Sequence, residues 1–353
     1  MSATNGQRTI RVGVLGAGGL GRAAARIIGM KRELSLCAIC DSKGLVISPE
    51  GLDAQAIAAR SSTDLVTGYR QAIAAAEENG HGGVATCTAV EARHSDDPLG
   101  EMIAASEALD ALLVTLPNLP NEFIPRVVRR FAEAGRSLVF VDVLKRTRAV
   151  ELMLALDPIV KQARSVVLTG CGATPGMLAA AAVLAAQSFI DVERVDIWWG
   201  VGVANWETYK ATIREDIAHL PGYTVERAKA MTDEAIEALL ERTSGLLELR
   251  EMEHADDLLL QRVGVVDDLS QVEVGGVMDT RHPAKPVSTT LTVTGITFEG
   301  KRSSHRFILG DETTMAANVI GPALGYVKRG VWLKAHELFG VFGSTEFLPM
   351  VVR

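Results

Sequence analysis

The chain has 353 residues, 48% hydrophobic and 22% charged, with a net charge of −7 and an isoelectric point near 5.6. This composition builds hydrophobic cores, by default in two domains, and its acidic balance argues against nucleic acid or an anionic membrane as the main partner. No run approaches the ~18 uncharged apolar residues of a membrane-crossing helix, and the opening MSATNGQRTI lacks the apolar centre of a signal peptide, so a cytoplasmic protein is expected.

In chain order, strand-like runs fall at 10–16, 34–41, 84–90, 109–116, 137–143 and 165–170. Helix-like stretches separate most of them, at 19–30, 68–79, 98–107, 121–134 and 146–163. Short β-rich runs alternating with amphipathic helices predict a parallel sheet covered on both faces. Right-handed crossovers make it doubly wound, so the fold class is α/β, Rossmann-type. After residue 170 the pattern changes. A helix begins near Pro175, a strand covers 192–204, an acidic helix-rich segment covers roughly 206–257, and an antiparallel hairpin closes around FEGK within 288–310. A helix follows at 312–330. The expected division is a dinucleotide-binding domain over 1–170, an α+β substrate and dimerisation domain over 171–310, and a C-terminal segment, 311–353, returning to the first domain. Four cysteines (Cys37, Cys40, Cys87 and Cys171) are too few for a disulfide scaffold or zinc site, and the C-x-x-C of LSLCAICD reads as a core strand; no metal is expected.

The stretch IRVGVLGAGGLGRAAARIIG holds G-x-G-x-x-G, Gly16, Gly18 and Gly21, between a strand and a helix. The first glycine serves a tight turn, the second lets backbone approach a diphosphate, and the third lets helix lie against strand. The helix N-terminus offers free N–H groups to phosphate. Asp41 ends the second strand 20 residues after Gly21, the reach to an adenine ribose. A carboxylate there favours NAD, while nearby Lys43 keeps NADP possible. The cofactor-binding residues are thus Gly16, Gly18, Gly19, Leu20, Gly21, Asp41 and Ser42, with Pro117 and Asn118 from the loop TLPNLPN.

Ligands of open α/β sheets sit beyond the carboxyl ends of the strands. There VDVLKRT presents Lys145, able to give a proton to a carbonyl or imine as hydride arrives. GCGATPGM offers the backbone of Gly172 and Gly176 to a carboxylate, with Thr174 capping the helix or touching substrate. In ANWETYKATIREDIAH, Arg214 is a natural carboxylate clamp, Glu207 or Asp216 suits an ammonium or an acid/base role, and His219 titrates near neutrality. Each has a plainer reading: a proline turn at 115–121, a solvated helix start at Lys145, a solvated helix face at 204–219. EMEHADD lacks a ligand pattern, and His254 with its acids reads as a solvated helix.

Together GVLGAGGLGRAAA, TLPNLPN, VDVLKRT, TGCGATPGM, ANWETYKATIREDIAHLPGY and LGDETTMAANV resemble the saccharopine dehydrogenase-like oxidoreductases over most of the chain. CDSKGLVISPEGLD and the lysine of VLKRT are locally similar to homoserine dehydrogenases. The resemblance implies the Rossmann fold, a nicotinamide cofactor and a homo-oligomer, commonly a dimer. Thr174 stands where saccharopine dehydrogenases carry an acid in this glycine-rich element.

The resulting expectation is an NAD(P)-dependent oxidoreductase. It moves a hydride to or from a carbon bearing nitrogen or oxygen in a small amino-acid-like substrate, with Lys145 and either Glu207 or Asp216 handling the proton. One rival is a homoserine dehydrogenase-like alcohol/aldehyde reaction; another is a dinucleotide-sensing or assembly protein without turnover.

Overall fold

Two sheets organise the computed structural model, which describes residues 9–58, 64–78, 90–117, 120–203 and 206–353, the side chains of residues 77, 207, 208, 211 and 212 excepted. Residues 84–89 of the predicted strand at 84–90, Cys87 among them, lie outside the described residues.

The first sheet contains β1 (Ile10–Leu15), β2 (Leu34–Cys40), β3 (Gly44–Ile47), β4 (Glu91–His94), β5 (Ala111–Val114), β6 (Val139–Asp142), β7 (Val166–Thr169) and β13 (Gly340–Gly343). Its order is β13-β7-β6-β5-β1-β2-β3-β4. The strands from β13 to β2 run parallel, and β3 and β4 extend the sheet antiparallel beyond β2. β5, β6 and β7 are buried throughout because helices cover both faces. Alternation sorts the side chains: Val12, Val14, Leu113, Val141 and Leu168 pack with helices Gly19–Ile28 and Met315–Ala335. Leu15, Leu112, Phe140 and Val167 pack with Phe123–Glu133 and Thr147–Leu154 on the other face. Gly330 brings the long C-terminal helix onto β6, since a Cβ there would lie 2.3 Å from Val139 Cγ1.

The second sheet has the order β12-β11-β8-β10-β9, from β8 (Phe189–Gly202), β9 (Leu246–Leu249), β10 (Val272–Asp279), β11 (Thr290–Thr297) and β12 (Arg302–Ile308). The hairpin expected around FEGK is the antiparallel β11/β12 pair. β8 and β10 are parallel and the remaining pairs antiparallel, giving a mixed α+β unit with its own core.

Two differences from the sequence reading are local. The stretch 146–163 forms two helices, Thr147–Leu154 and Asp157–Gln162, because Pro158 cannot continue the first and starts the second. The helix expected from Pro175 starts at Met177, after Gly176 at φ 129°, where a Cβ would meet Gly172 O at 2.0 Å. Among the described residues no helix is long and apolar enough to cross a membrane.

Candidate functional site

The glycine loop fits a dinucleotide. Gly16 turns at φ 103° and its N–H donates to Cys40 O at 2.9 Å, while Thr115 Oγ1 donates to Leu15 O and Gly16 O, each at 3.0 Å. A Cβ on Gly21 would sit 1.8 Å from Gly16 O, so this glycine lets the helix close on the turn. Gly18 differs: a Cβ there meets nothing within 4 Å, so the protein's own packing does not require glycine. The helix starting at Gly19, with Leu20 second, has no side-chain cap. Uncapped N–H groups beside bare, open backbone are what a diphosphate needs.

Asp41 stands at the end of β2, as expected for a ribose partner, and it also builds the turn into β3. Oδ1 accepts from Lys43 N (2.8 Å) and Gly44 N (3.0 Å), and Oδ2 from Leu65 N (2.8 Å). Ser42 and Lys43 are exposed beside it. Pro117 is exposed at the end of the β5 loop, and Asn118 lies outside the described residues.

Three strand ends away from the turn chemistry, the substrate side is assembled around Lys145. Asp142 finishes β6 and is 1% exposed; its Oδ1 accepts from Leu144 N (3.0 Å), Thr169 Oγ1 (3.0 Å) and Gly170 N (2.9 Å), which joins the ends of β6 and β7. Burial pushes its carboxyl up to about 6 against those three donors. The folded protein therefore holds a proton there between about pH 4 and 6 that the unfolded chain releases, so this group makes stability fall as pH rises through that window. Asp142→Asn is expected to flatten that slope, by up to about 3 kcal/mol; urea melts at pH 4, 5, 6 and 7 measure it.

Lys145 Nζ lies 2.6 Å from Asp216 Oδ1 and 3.6 Å from Glu215 Oε2, both on helix Lys210–Ile217 and each side chain 3% exposed. Burial alone would lower the lysine, but the two carboxylates outweigh it and hold it above its ordinary value. Lys145 is thus a cation at neutral pH, and sequence positions 71 apart meet. Glu207 falls in the turn Trp206–Tyr209 and its side chain is outside the described residues.

The EMEHADD segment is not a solvated helix. Ala255 N donates to Lys145 O at 2.7 Å and so draws residues 253–257 against the β6 loop. His254 is 3% exposed, its Nδ1 2.6 Å from Asp256 Oδ2. The same oxygen accepts from Thr174 Oγ1 at 2.7 Å. Asp256 is fully buried, and its Oδ1 has no partner among the described residues. Thr174 therefore neither caps the next helix nor leaves the glycine-rich element without an acid; Asp256 supplies one from another element. His254 makes no other hydrogen bond among the described residues, so an Asp–His pair fixes the ring and leaves Nε2 for a ligand or proton. Sequence reasoning passed over this pair; the only signal was a histidine two residues from an acid.

The remaining expectations divide. Gly172 and Gly176 bridge each other, and Met177 N and Leu178 N donate to Gly172 O and Ala173 O, so the first N–H groups of that helix close the loop and do not face outward. Arg214 donates to Ala228 O (3.4 Å), Met231 O (2.5 Å) and Asp233 Oδ1 (2.5 Å), which makes it a brace inside the second unit rather than a clamp at Lys145. His219 does face the site: burial, then the Lys145 and Arg146 cations, push it down to about 4, so it is neutral at pH 7. Cys171 is buried, and burial raises its thiol well above the ordinary range, which leaves it a packing residue. No cluster of metal-ligating side chains occurs among the described residues.

No family model matches the chain. It is 43% identical over 349 residues, 96% of this chain and 99% of the other, to (S)-8-amino-7-oxononanoate synthase BioU of Haloferax mediterranei. Among solved structures it is similar to an engineered D-amino acid dehydrogenase bound to NADP+, with a TM-score of 0.53, 16% identity, and 98% of this chain and 94% of that chain covered. It is also similar to the C. glutamicum DAP dehydrogenase in complex with DAP, with a TM-score of 0.52, 15% identity and the same coverage. At such identities the structures share the fold alone, a Rossmann-type sheet with a second, mixed-sheet unit.

Proposed function

The chain belongs to the family of (S)-8-amino-7-oxononanoate synthase BioU, and from that premise we propose that it is an NAD(P)-dependent enzyme acting on the 8-amino-7-oxononanoate skeleton. That molecule is a small amino acid-like acid with a ketone and an amine on neighbouring carbons and a carboxylate at the far end. The observation that carries the reading is Lys145, a half-buried ammonium 2.6 Å from Asp216 at the carboxyl edge of the glycine-loop sheet.

A nicotinamide coenzyme, NAD or NADP, supplies or takes the hydride; the loop from Gly16 to Gly21 would hold its diphosphate. The residues of this chain manage charge and protons. Lys145, in its charged form, donates to the oxygen or nitrogen of the carbon that receives hydride. Asp216 and Glu215 keep it charged and fix its position. The proton that Lys145 gives up must be replaced after each transfer, and the Asp256-held His254, with Thr174 fixing Asp256, is a group able to carry it. A second reading has its own observation: Asp216 lies 2.6 Å from Lys145 Nζ, close enough to receive the proton the lysine gives up as its nitrogen condenses with a ketone and water leaves.

The test is loss of NADPH or NADH absorbance with 8-amino-7-oxononanoate, compared with a semialdehyde such as that of homoserine dehydrogenases. Turnover of the semialdehyde alone refutes the reading, and coenzyme binding without any chemistry refutes enzymatic function. Borohydride treatment in the presence of the amino ketone separates the lysine's two roles: a mass gain on Lys145 marks condensation, and none marks the proton donor. Asp256→Asn is expected to lower the rate about 10²–10⁴-fold, because the amide turns the imidazole into the wrong tautomer while preserving the shape; an unchanged pH–rate profile removes His254 from the mechanism.

A further inference from the structure

Arg146 follows Lys145 and is 7% exposed. Two of its three guanidinium nitrogens are fixed. Nε donates to Asn121 Oδ1 at 2.9 Å, from the β5 loop, and Nη2 to Glu253 Oε2 at 2.5 Å, from the segment that carries His254. Glu253 is itself held, its Oε1 accepting from Arg148 N at 3.2 Å. The third nitrogen, Nη1, is buried and has no partner among the described residues. His219 Nε2 is in the same condition, and His219 lies within the field of both Lys145 and Arg146. Buried donors on a cation are costly to leave without an acceptor, and native structures rarely do so without a reason.

The missing acceptor belongs to a ligand. The coenzyme's diphosphate is not that ligand, because its loop lies at the end of β1, separated from β6 by β5. Arg214, the other cation considered for an anion, is engaged by Ala228, Met231 and Asp233. Residue 146 is extended, at φ −81° and ψ 130°, and in extended backbone successive side chains leave on opposite sides. A substrate touching both needs its reacting carbon separated from its anion by a spacer. The 8-amino-7-oxononanoate skeleton has such a spacer: its methylene chain lies between ketone and carboxylate.

We propose that Arg146 Nη1 anchors the substrate's carboxylate and so selects long-chain amino-oxo acids. The assignment rests on the functional reading above. Guanidinium suits the role because a fork pinned at two corners presents the third rigidly to a carboxylate.

The experiment is calorimetric titration of protein saturated with NADP+, a coenzyme form that cannot reduce the ketone, with 8-amino-7-oxononanoate and with its methyl ester. The ester keeps ketone and amine and removes the charge. Wild-type protein is expected to bind the acid about 10- to 100-fold more tightly than the ester. In Arg146→Gln that ratio should collapse to within about threefold, and in Arg146→Lys, which keeps charge but not the fork, it should be intermediate. Glu253→Gln loosens the guanidinium's support without removing it and should lower the acid-to-ester ratio only in part, leaving it above that of Arg146→Gln. NADP+ affinity and melting temperature report whether each variant is folded; if Arg146→Gln is not, the lysine variant decides. A wild-type ratio retained in both arginine variants, or a wild-type protein indifferent to the ester, overturns the anchor alone. Wild-type protein that binds neither acid nor ester overturns the functional reading and the anchor with it.

Discussion

Lys145→Met is expected to lower kcat about 10²–10⁴-fold while coenzyme affinity stays within about threefold of wild type. The argument combines position and charge. Nζ is held by Asp216 at 2.6 Å and Glu215 at 3.6 Å, beyond the carboxyl end of a strand, the edge at which open α/β sheets bind their ligands. Methionine matches the stem and removes the proton. It also takes the cation away from two carboxylates that are each 3% exposed, which costs about 3–5 kcal/mol of stability. The double variant Lys145→Met/Asp216→Asn should recover part of that stability and none of the rate, which separates chemistry from folding. Lys145→Arg keeps the charge and lacks the lysine's compact, mobile ammonium. Stopped-flow absorbance, coenzyme fluorescence titration and thermal melts measure the three quantities. Full turnover in the folded methionine variant would sink the assignment of Lys145.

The two glycines of the opening loop should fail in different ways. In Gly21→Ala the new Cβ would lie 1.8 Å from Gly16 O and 3.0 Å from Thr115 Oγ1, so helix and turn must separate. The expected cost is about 1–3 kcal/mol of stability together with loss of coenzyme binding. Gly18 has φ −73°, a value any residue adopts, and a Cβ there touches nothing within 4 Å. Gly18→Ala should therefore melt with the wild type yet bind NAD(H) and NADP(H) at least about tenfold more weakly, since its methyl enters the space left for the diphosphate. If Gly18→Ala binds coenzyme normally, the open space above the loop serves something else.

Much of the fold was readable because its causes are local. Strand runs such as 111–114 and 166–169 are apolar throughout because both faces are covered, and the FEGK turn declares its hairpin within a few residues. The site was readable only in part. Lys145 and Asp216 were both singled out, but nothing in their spacing says that residues 71 apart meet. Arg214 was read as facing substrate from its helix face, yet the carbonyls of Ala228 and Met231 arrive from a later turn and hold it. His254 was read as solvated because acids surround it in the chain. Its burial follows from one backbone bond, Ala255 N to Lys145 O, which joins segments more than a hundred residues apart and leaves no periodic trace.

Taken alone, the amino-acid order determined the glycine turn between the first strand and helix, the alternation of strands and helices, and the presence of a lysine after a strand end, because these depend on backbone freedom and side-chain pattern over a few neighbouring residues. Which acids, histidines and arginines surround that lysine was decided only when the two sheets came together. Asp256 reaches Thr174 across 82 residues, and Arg146 joins Asn121 to Glu253. Such meetings depend on how packed elements close on one another, and burial then obliges each polar group there to find a partner or a ligand.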